Sequence, residues 1–111
     1  MRRATLDALL AARATSRAVV LLTPLDGGLQ RLLDEAGLDL LAATDPVLAT
    51  VARQAMESDR ALTGKSLDVE VLVTPHNPPL RLVIIGAVHI AESLCRIARE
   101  AGYAVTVVDP R

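Results

Sequence analysis

The residues of this 111-residue chain whose spacing suggests chemistry lie near its carboxyl end. Gly86, Val88 and Ala91 occupy the three small-residue positions of the pattern Gly-x-Gly-x-x-Gly/Ala, which joins a strand to a helix in dinucleotide-binding folds. Asp109 follows about 20 residues later, where such folds place an acid that accepts hydrogen bonds from ribose; the alternative is a loop cap. Val88 departs from the pattern, because its branched side chain stands where a pyrophosphate would approach the backbone.

Other reactive side chains each have a structural explanation beside a functional one. His89, near the N-terminus of the predicted helix, either hydrogen-bonds a phosphate or is a partly exposed polar residue. Cys95 falls on the apolar stripe of the same helix, where it is either a sulfur relay or an inert buried thiol. His76 lies among prolines and is interpreted as a linker residue. Asp68 and Glu70 alternate along a predicted strand and are interpreted as solvent-facing acids, not as a catalytic pair.

The elements around the glycine turn have the clearest pattern. Residues 80–85 are apolar almost throughout, which is typical of a parallel strand covered on both faces. A helix is predicted from about Ala91 to Ala101, with Gly102 as its C-terminal cap. Residues 104–108 form the next strand, and a right-handed crossover would place the two strands parallel.

Shorter patterns fill the first third of the chain. Apolar residues at helical spacing predict a helix over about residues 3–14, and residues 17–23 form an aliphatic run typical of a strand. Asp26-Gly27-Gly28 is a strong turn signal, since glycine accepts the positive φ of hairpin turns. Residues 29–33 would then be the return strand of a hairpin.

The middle of the chain mixes ambiguous and clear signals. Residues 34–44 fit neither the helical nor the strand pattern well, because Gly37 interrupts both. Thr44 or Asp45 is the expected N-cap of a helix that runs to about Arg60, because a proline follows in the first turn.

Alternation over residues 67–73 predicts a strand with one solvated face. Three prolines within residues 74–79 predict a stiff linker that is neither helix nor central strand. The sequence therefore predicts an α/β protein with two parts. A small α+β region (helix, hairpin, helix, strand) spans residues 1–76, and a Rossmann-type βαβ unit with parallel strands spans residues 77–111.

Residues 77–111, NPPLRLVIIGAVHIAESLCRIAREAGYAVTVVDPR, resemble the start of the C-terminal domain of the XdhC/CoxI family. That family combines a proline pair, an apolar strand, a Gly-Ala-Gly-His-Val-Ala turn, a helix and a second strand ending in Val-Asp-Pro-Arg. The match covers about a third of the chain. His89 and the ending Asp109-Pro110-Arg111 make it more specific than a general nucleotide-binding pattern.

The resemblance implies an accessory protein, not an enzyme. Such proteins hold the molybdenum cofactor, as molybdopterin or its dinucleotide form, and assist its sulfuration and insertion. Their partners would be a molybdenum hydroxylase, such as xanthine or CO dehydrogenase, and a cysteine desulfurase. The cofactor-binding residues implied here are Gly86, Ala87, Val88, His89, Ala91 and Asp109.

Two departures from the family bear on these expectations. Residues 1–76 contain no cysteine, and Gly27-Gly28 lacks the Cys-Val-Glu continuation of the family's N-terminal motif. The chain also stops at Arg111, where the family continues for several βα units, so we expect a fragment or a truncated reading frame.

Composition narrows the function classes further. The net charge is −1 and no basic run is longer than two residues, which argues against nucleic acid as a partner. No apolar stretch is long enough for a membrane span, so we expect a cytoplasmic protein without membrane contact. An incomplete sheet leaves apolar edges and faces to cover, so a homo-oligomer is expected. The alternatives are a truncated NAD(P)-binding oxidoreductase domain and a structural oligomerisation module that binds no cofactor.

Overall fold

The computed structural model describes residues 1–86 and 88–110, which form four helices and two sheets. The chain divides into two compact units, Met1–Pro78 and Pro79–Arg111, called unit 1 and unit 2 below. Unit 1 contains a four-stranded antiparallel sheet and unit 2 a two-stranded parallel sheet. The mixed α/β class expected from the sequence is confirmed.

The elements follow one another in the order α1, β1, β2, α2, α3, β3, β4 in unit 1 and β5, α4, β6 in unit 2. Unit 1 has the sheet order β2-β1-β4-β3. The bounds are α1 Arg3–Ala14, β1 Val19–Pro24, β2 Arg31–Leu33, α2 Glu35–Thr44, α3 Pro46–Ser58, β3 Leu62–Ser66, β4 Val69–His76, β5 Arg81–Ile85, α4 Val88–Glu100 and β6 Ala104–Val108.

The core of unit 1 lies between one face of its sheet and the helices α2 and α3. Because side chains alternate along a strand, β1 and β4 each send every second residue to this face. The buried residues of this core are Val20, Leu22, Leu38, Leu41, Leu48, Ala49, Ala52, Ala55, Val71 and Val73. Helix α1 packs Leu9 and Ala12 on Val19, whose side chain alternates to the opposite face.

The hairpin and the predicted start of α3 are confirmed, whereas α4 begins at Val88, earlier than the predicted start at about Ala91. β1 pairs antiparallel with β2, and Gly27 takes a φ of +89° in the turn between them. The return strand is shorter than predicted, since only Arg31–Leu33 pairs. Asp45 caps α3 by accepting a hydrogen bond from the Leu48 N–H at 3.2 Å.

The ambiguous segment before α3 is a helix. Asp34 caps α2 by accepting a hydrogen bond from the Gly37 N–H, so this glycine lies in the first turn and does not break the helix. Arg53 of α3 ties the two helices together through 2.7 Å and 2.6 Å ion pairs with Glu35 and Asp39. The hydrogen bond with Glu35 is the main cause that raises the pKa of Arg53.

The strands at the end of unit 1 differ from the prediction in three ways. Leu67 and Asp68 form a turn with φ of +49° and +66°, not the start of a strand. β4 runs on through Pro75 to His76, although a stiff linker was predicted there. β3, whose sequence contains Gly64 and Lys65, was not predicted at all. Proline is tolerated because β3 pairs with β4 only as far as Val73, so the last residues of β4 have one strand neighbour.

Unit 2 is a βαβ unit whose two strands pair parallel, as predicted. Gly102, with a φ of +91°, ends α4, and its N–H bonds the Arg99 carbonyl. The expectation that β5 is covered on both faces is wrong. Val83 and Ile85 are 57% and 72% exposed, because the single helix covers one face of the two-stranded sheet.

Candidate functional site

The candidate site is the point where β5 ends and α4 begins. Gly86 follows β5 directly, and its φ of +77° is a conformation that side chains other than glycine rarely adopt. Among the described residues other than its chain neighbours, none has an atom within 4 Å of the position that a Cβ on Gly86 would occupy. The backbone at this turn is therefore open to a group that approaches it closely.

A backbone hydrogen bond fixes this turn against the second strand. The N–H of Gly86 donates to the Val108 carbonyl at 2.9 Å, one step beyond the last strand pair, Ile85 with Val108. Asp109 follows Val108 in the chain and is exposed. The structure thus brings Gly86 and Asp109 to the same edge of the sheet, where the carboxyl ends of both strands meet.

The first turn of helix α4 also belongs to the candidate site. Its first N–H groups have no partner within the helix and carry a partial positive charge, which favours an anion. His89 is the second residue of the helix and is exposed, while Ala91 is 2% exposed and packs inside unit 2. Val88 begins the helix, and Ala87 lies outside the described residues.

The other candidate residues are not brought to this turn. Cys95 is 9% exposed on the buried face of α4. It lines a cavity of about 370 Å³ together with Arg96 and Arg99 of the same helix and Val107 of β6. Cys95 thus shares this cavity with Arg96, Arg99 and the acidic Glu92, which its place on the apolar stripe did not predict.

Two predictions about unit 1 residues are corrected. His76 is not in a linker: it is the last residue of β4 and pairs with Val19. Asp68 is not on a strand, and only Glu70 lies on the exposed side of β4. The two acids therefore do not alternate along one strand.

Sequence reasoning also missed Arg31, which lines a cavity of about 240 Å³ in unit 1. No local pattern marks it, because the cavity is created by strand register and by the position of α3. Only the pairing of Arg31 with Leu22 shows that this arginine shares a sheet face with the core.

No protein-family model matches the chain, and no curated protein matches it significantly. Within the described residues, no helix combines the length and the apolar character that a membrane crossing requires. In that same part of the chain, no group of three or more His, Cys, Asp or Glu side chains is placed to hold a metal ion.

Proposed function

We propose that this chain is an accessory protein that binds the molybdenum cofactor, as molybdopterin or its dinucleotide form, and assists its sulfuration or its insertion into a molybdenum hydroxylase. The observation that supports this best is the junction at Gly86. A positive-φ glycine between a parallel strand and a helix is the arrangement with which Rossmann-type units bind phosphate. The resemblance of residues 77–111 to the XdhC/CoxI family then narrows the ligand from any nucleotide to this cofactor.

The residues at the turn fit the phosphate of such a ligand. The open space beside Gly86 admits the phosphate to the backbone, and the first turn of α4 offers N–H donors. His89 is exposed one residue into the helix, where it can donate to a phosphate or pterin oxygen. Asp109, the residue after β6, would accept a hydrogen bond from a ribose hydroxyl of the dinucleotide form. When bound, the cofactor supplies the redox chemistry of the recipient hydroxylase.

A matched pair of glycine substitutions tests the proposal. Gly86→Ala and Gly102→Ala each place a Cβ in open space at positive φ, so they impose similar backbone strain in unit 2. Only Gly86 lies at the proposed phosphate position. We expect the molybdenum cofactor to raise the melting temperature of the wild type and of Gly102→Ala by several degrees at saturation, and that of Gly86→Ala by much less.

A second variant tests the misfit at the middle position of the pattern. Val88→Gly should strengthen ligand binding if a branched residue there restricts the approach of the phosphate. The control is Val47→Gly. It also replaces a valine by glycine in the first turn of a helix, but that helix is α3, which is not part of the proposed site. A phosphate site at this turn would be excluded if the molybdenum cofactor does not raise the melting temperature of the wild type and Val88→Gly does not bind it more tightly. If NADP raises the melting temperature of the wild type and the molybdenum cofactor does not, the result would instead favour the oxidoreductase alternative.

The uncovered sheet face in unit 2 favours a second candidate, self-association. Parallel register places Ile85 beside Val108, and these two residues with Val83 are all at least 44% exposed. Apolar sheet faces of this kind are covered in stable proteins. We expect sedimentation to show a dimer or larger species at tens of micromolar.

The matched test of self-association uses two lysine substitutions. Ile85→Lys introduces a charge on the uncovered sheet face and should shift the chain to monomer. Leu40→Lys replaces a residue of α2 in unit 1 that is equally exposed, at 74%, and should leave the association unchanged. A monomeric wild type would exclude this candidate.

A further inference from the structure

A cavity of about 240 Å³ opens in unit 1 between the sheet and the beginning of α3. Its apolar wall includes Leu22, Leu48 and Val71, which are 2%, 3% and 4% exposed and belong to the main core. All residues that line the cavity belong to unit 1. It is therefore an opening onto the core of that unit, and an inference about it does not depend on the function proposed for the Gly86 turn.

Two of the polar residues at this cavity already have partners. Asp26 accepts a hydrogen bond from the Gly28 N–H at 2.9 Å, which shapes the β1–β2 turn. The Ser66 hydroxyl donates to the second carboxylate oxygen of Asp45 at 2.7 Å, which fixes the end of β3 to the cap of α3. Both side chains therefore serve the structure of the cavity mouth before any ligand binds.

Arg31 is different. It pairs with Leu22 across β1 and β2, so its side chain leaves the sheet on the same face as the core. Both ion pairs in the described part of the chain belong to Arg53, and no side-chain hydrogen bond there involves the Arg31 guanidinium. Arg31 thus lines a largely apolar cavity, and within the described residues its guanidinium has no side-chain partner.

We propose that this cavity binds a small carboxylate with an aliphatic body. The carboxylate would accept paired hydrogen bonds from the Arg31 guanidinium, the geometry that this group matches best. The aliphatic part would lie against Leu22, Leu48 and Val71. A doubly charged phosphate is disfavoured, because the single cation is accompanied by the Asp26 carboxylate at the same mouth.

The size and lining of the cavity define the ligand further. Sites for drug-sized ligands occupy about 300–1,000 Å³, so this smaller cavity suits a short chain of roughly eight non-hydrogen atoms. The lining contains no aromatic residue on which a flat ring could stack. A short branched fatty acid and a free aliphatic amino acid share the required chemistry. They differ in the ammonium group, which would be attracted to Asp26.

The test is a titration of the full chain with 4-methylpentanoate, leucine and 4-methylpentanamide, followed by the NMR methyl signals of Leu22, Leu48 and Val71. We expect at least one of the two carboxylates to bind and the neutral amide to bind roughly tenfold more weakly or not at all. Arg31→Gln should weaken carboxylate binding by a similar factor. Arg60→Gln, at another exposed arginine of unit 1, should leave it unchanged.

The two sources of the carboxylate are distinguished by Asp26→Asn. This variant keeps an oxygen that can accept from the Gly28 N–H, so the turn is preserved. If leucine binds more tightly than 4-methylpentanoate and loses that advantage in Asp26→Asn, the ligand is an amino acid. If 4-methylpentanoate binds at least as tightly as leucine and Asp26→Asn leaves its affinity unchanged, the ligand is a simple carboxylate. The proposal is overturned if neither carboxylate moves the three methyl signals in the millimolar range, if the amide binds as well as the acids, or if Arg31→Gln binds like the wild type.

Discussion

At the scale of single residues, Asp45 makes contacts that connect distant parts of unit 1. One carboxylate oxygen caps α3 through the Leu48 N–H, and the other accepts from the Ser66 hydroxyl at the end of β3. The first bond is local and was visible in the sequence as a cap before a proline. The second joins positions 21 residues apart and is a product of the fold.

Asp45→Ala should therefore destabilise unit 1 by more than the loss of a helix cap alone. The cap contributes about 1 kcal/mol, and the hydrogen bond from Ser66 adds a further contribution of similar size. Ser66→Ala removes only the second bond and should cost less, and Asp45→Asn, which can still cap, should also cost less than alanine. Urea unfolding followed by far-UV circular dichroism measures all three. Equal losses for Asp45→Ala and Ser66→Ala would show that the cap contributes nothing.

At the scale of elements, the close approach of α3 to β3 depends on Gly64. A Cβ at this position would lie 3.3 Å from the Leu48 side chain and 3.4 Å from that of Val51. These distances are only slightly shorter than ordinary van der Waals contacts, so a single methyl group needs a shift of a few tenths of an ångström. A branched side chain would have to displace the helix.

Gly64→Val should accordingly destabilise unit 1 by about 1–3 kcal/mol, the usual cost of overpacking a core, while Gly64→Ala should be close to neutral. Thr63→Val is the control, because Thr63 is the preceding residue of β3, is exposed, and points to the opposite face of the sheet. It should change stability by no more than about 0.5 kcal/mol. The measurement is again the midpoint of urea unfolding, and a tolerated Gly64→Val would mean that α3 does not depend on this close approach.

The elements that were predicted correctly are those whose signals are local. The caps, the glycine turns and the apolar periodicity of α1, α3 and α4 are determined within a few residues, and they appear in the structure. β3 was missed because its only strand signal is its pairing with β4, and Gly64 and Lys65 are poor strand formers. β4 continues through Pro75 because pairing with β1 outweighs the local preference of proline.

The same distinction applies to the candidate sites. The order strand, Gly86, helix, strand and Asp109 was predictable, because it is written along 29 consecutive residues of one chain segment. The hydrogen bond that joins Gly86 to Val108 follows from parallel pairing. The cavity at Arg31 was not predictable, because its lining comes from four strands and a helix that are separated in sequence.

At the scale of the whole molecule, the two units are unequal in the amount of core they contain. Fourteen of the buried apolar residues in the described part of the chain lie in unit 1. Unit 2 contributes three, Ala91, Cys95 and Ala98, all on α4 and all small. Unit 2 buries little surface, and it is shorter than the roughly 40 residues below which isolated domains rarely fold. We therefore expect its stability to depend on contacts from outside the unit.

We therefore expect a fragment of residues 1–78 to fold alone and a peptide of residues 79–111 to remain unfolded. The fragment keeps both clusters of its core and all four strands of its sheet, so it should unfold cooperatively with a midpoint near that of the full chain. In the full chain the two units can be followed separately, because Tyr103 in unit 2 is the only aromatic residue, whereas circular dichroism at 222 nm reports both units. If unit 2 is held by self-association, its tyrosine signal should unfold at lower denaturant concentration when the protein is diluted, and the unit 1 transition should not move. Coincident, concentration-independent transitions would contradict this, and would mean that unit 2 is stabilised within the monomer.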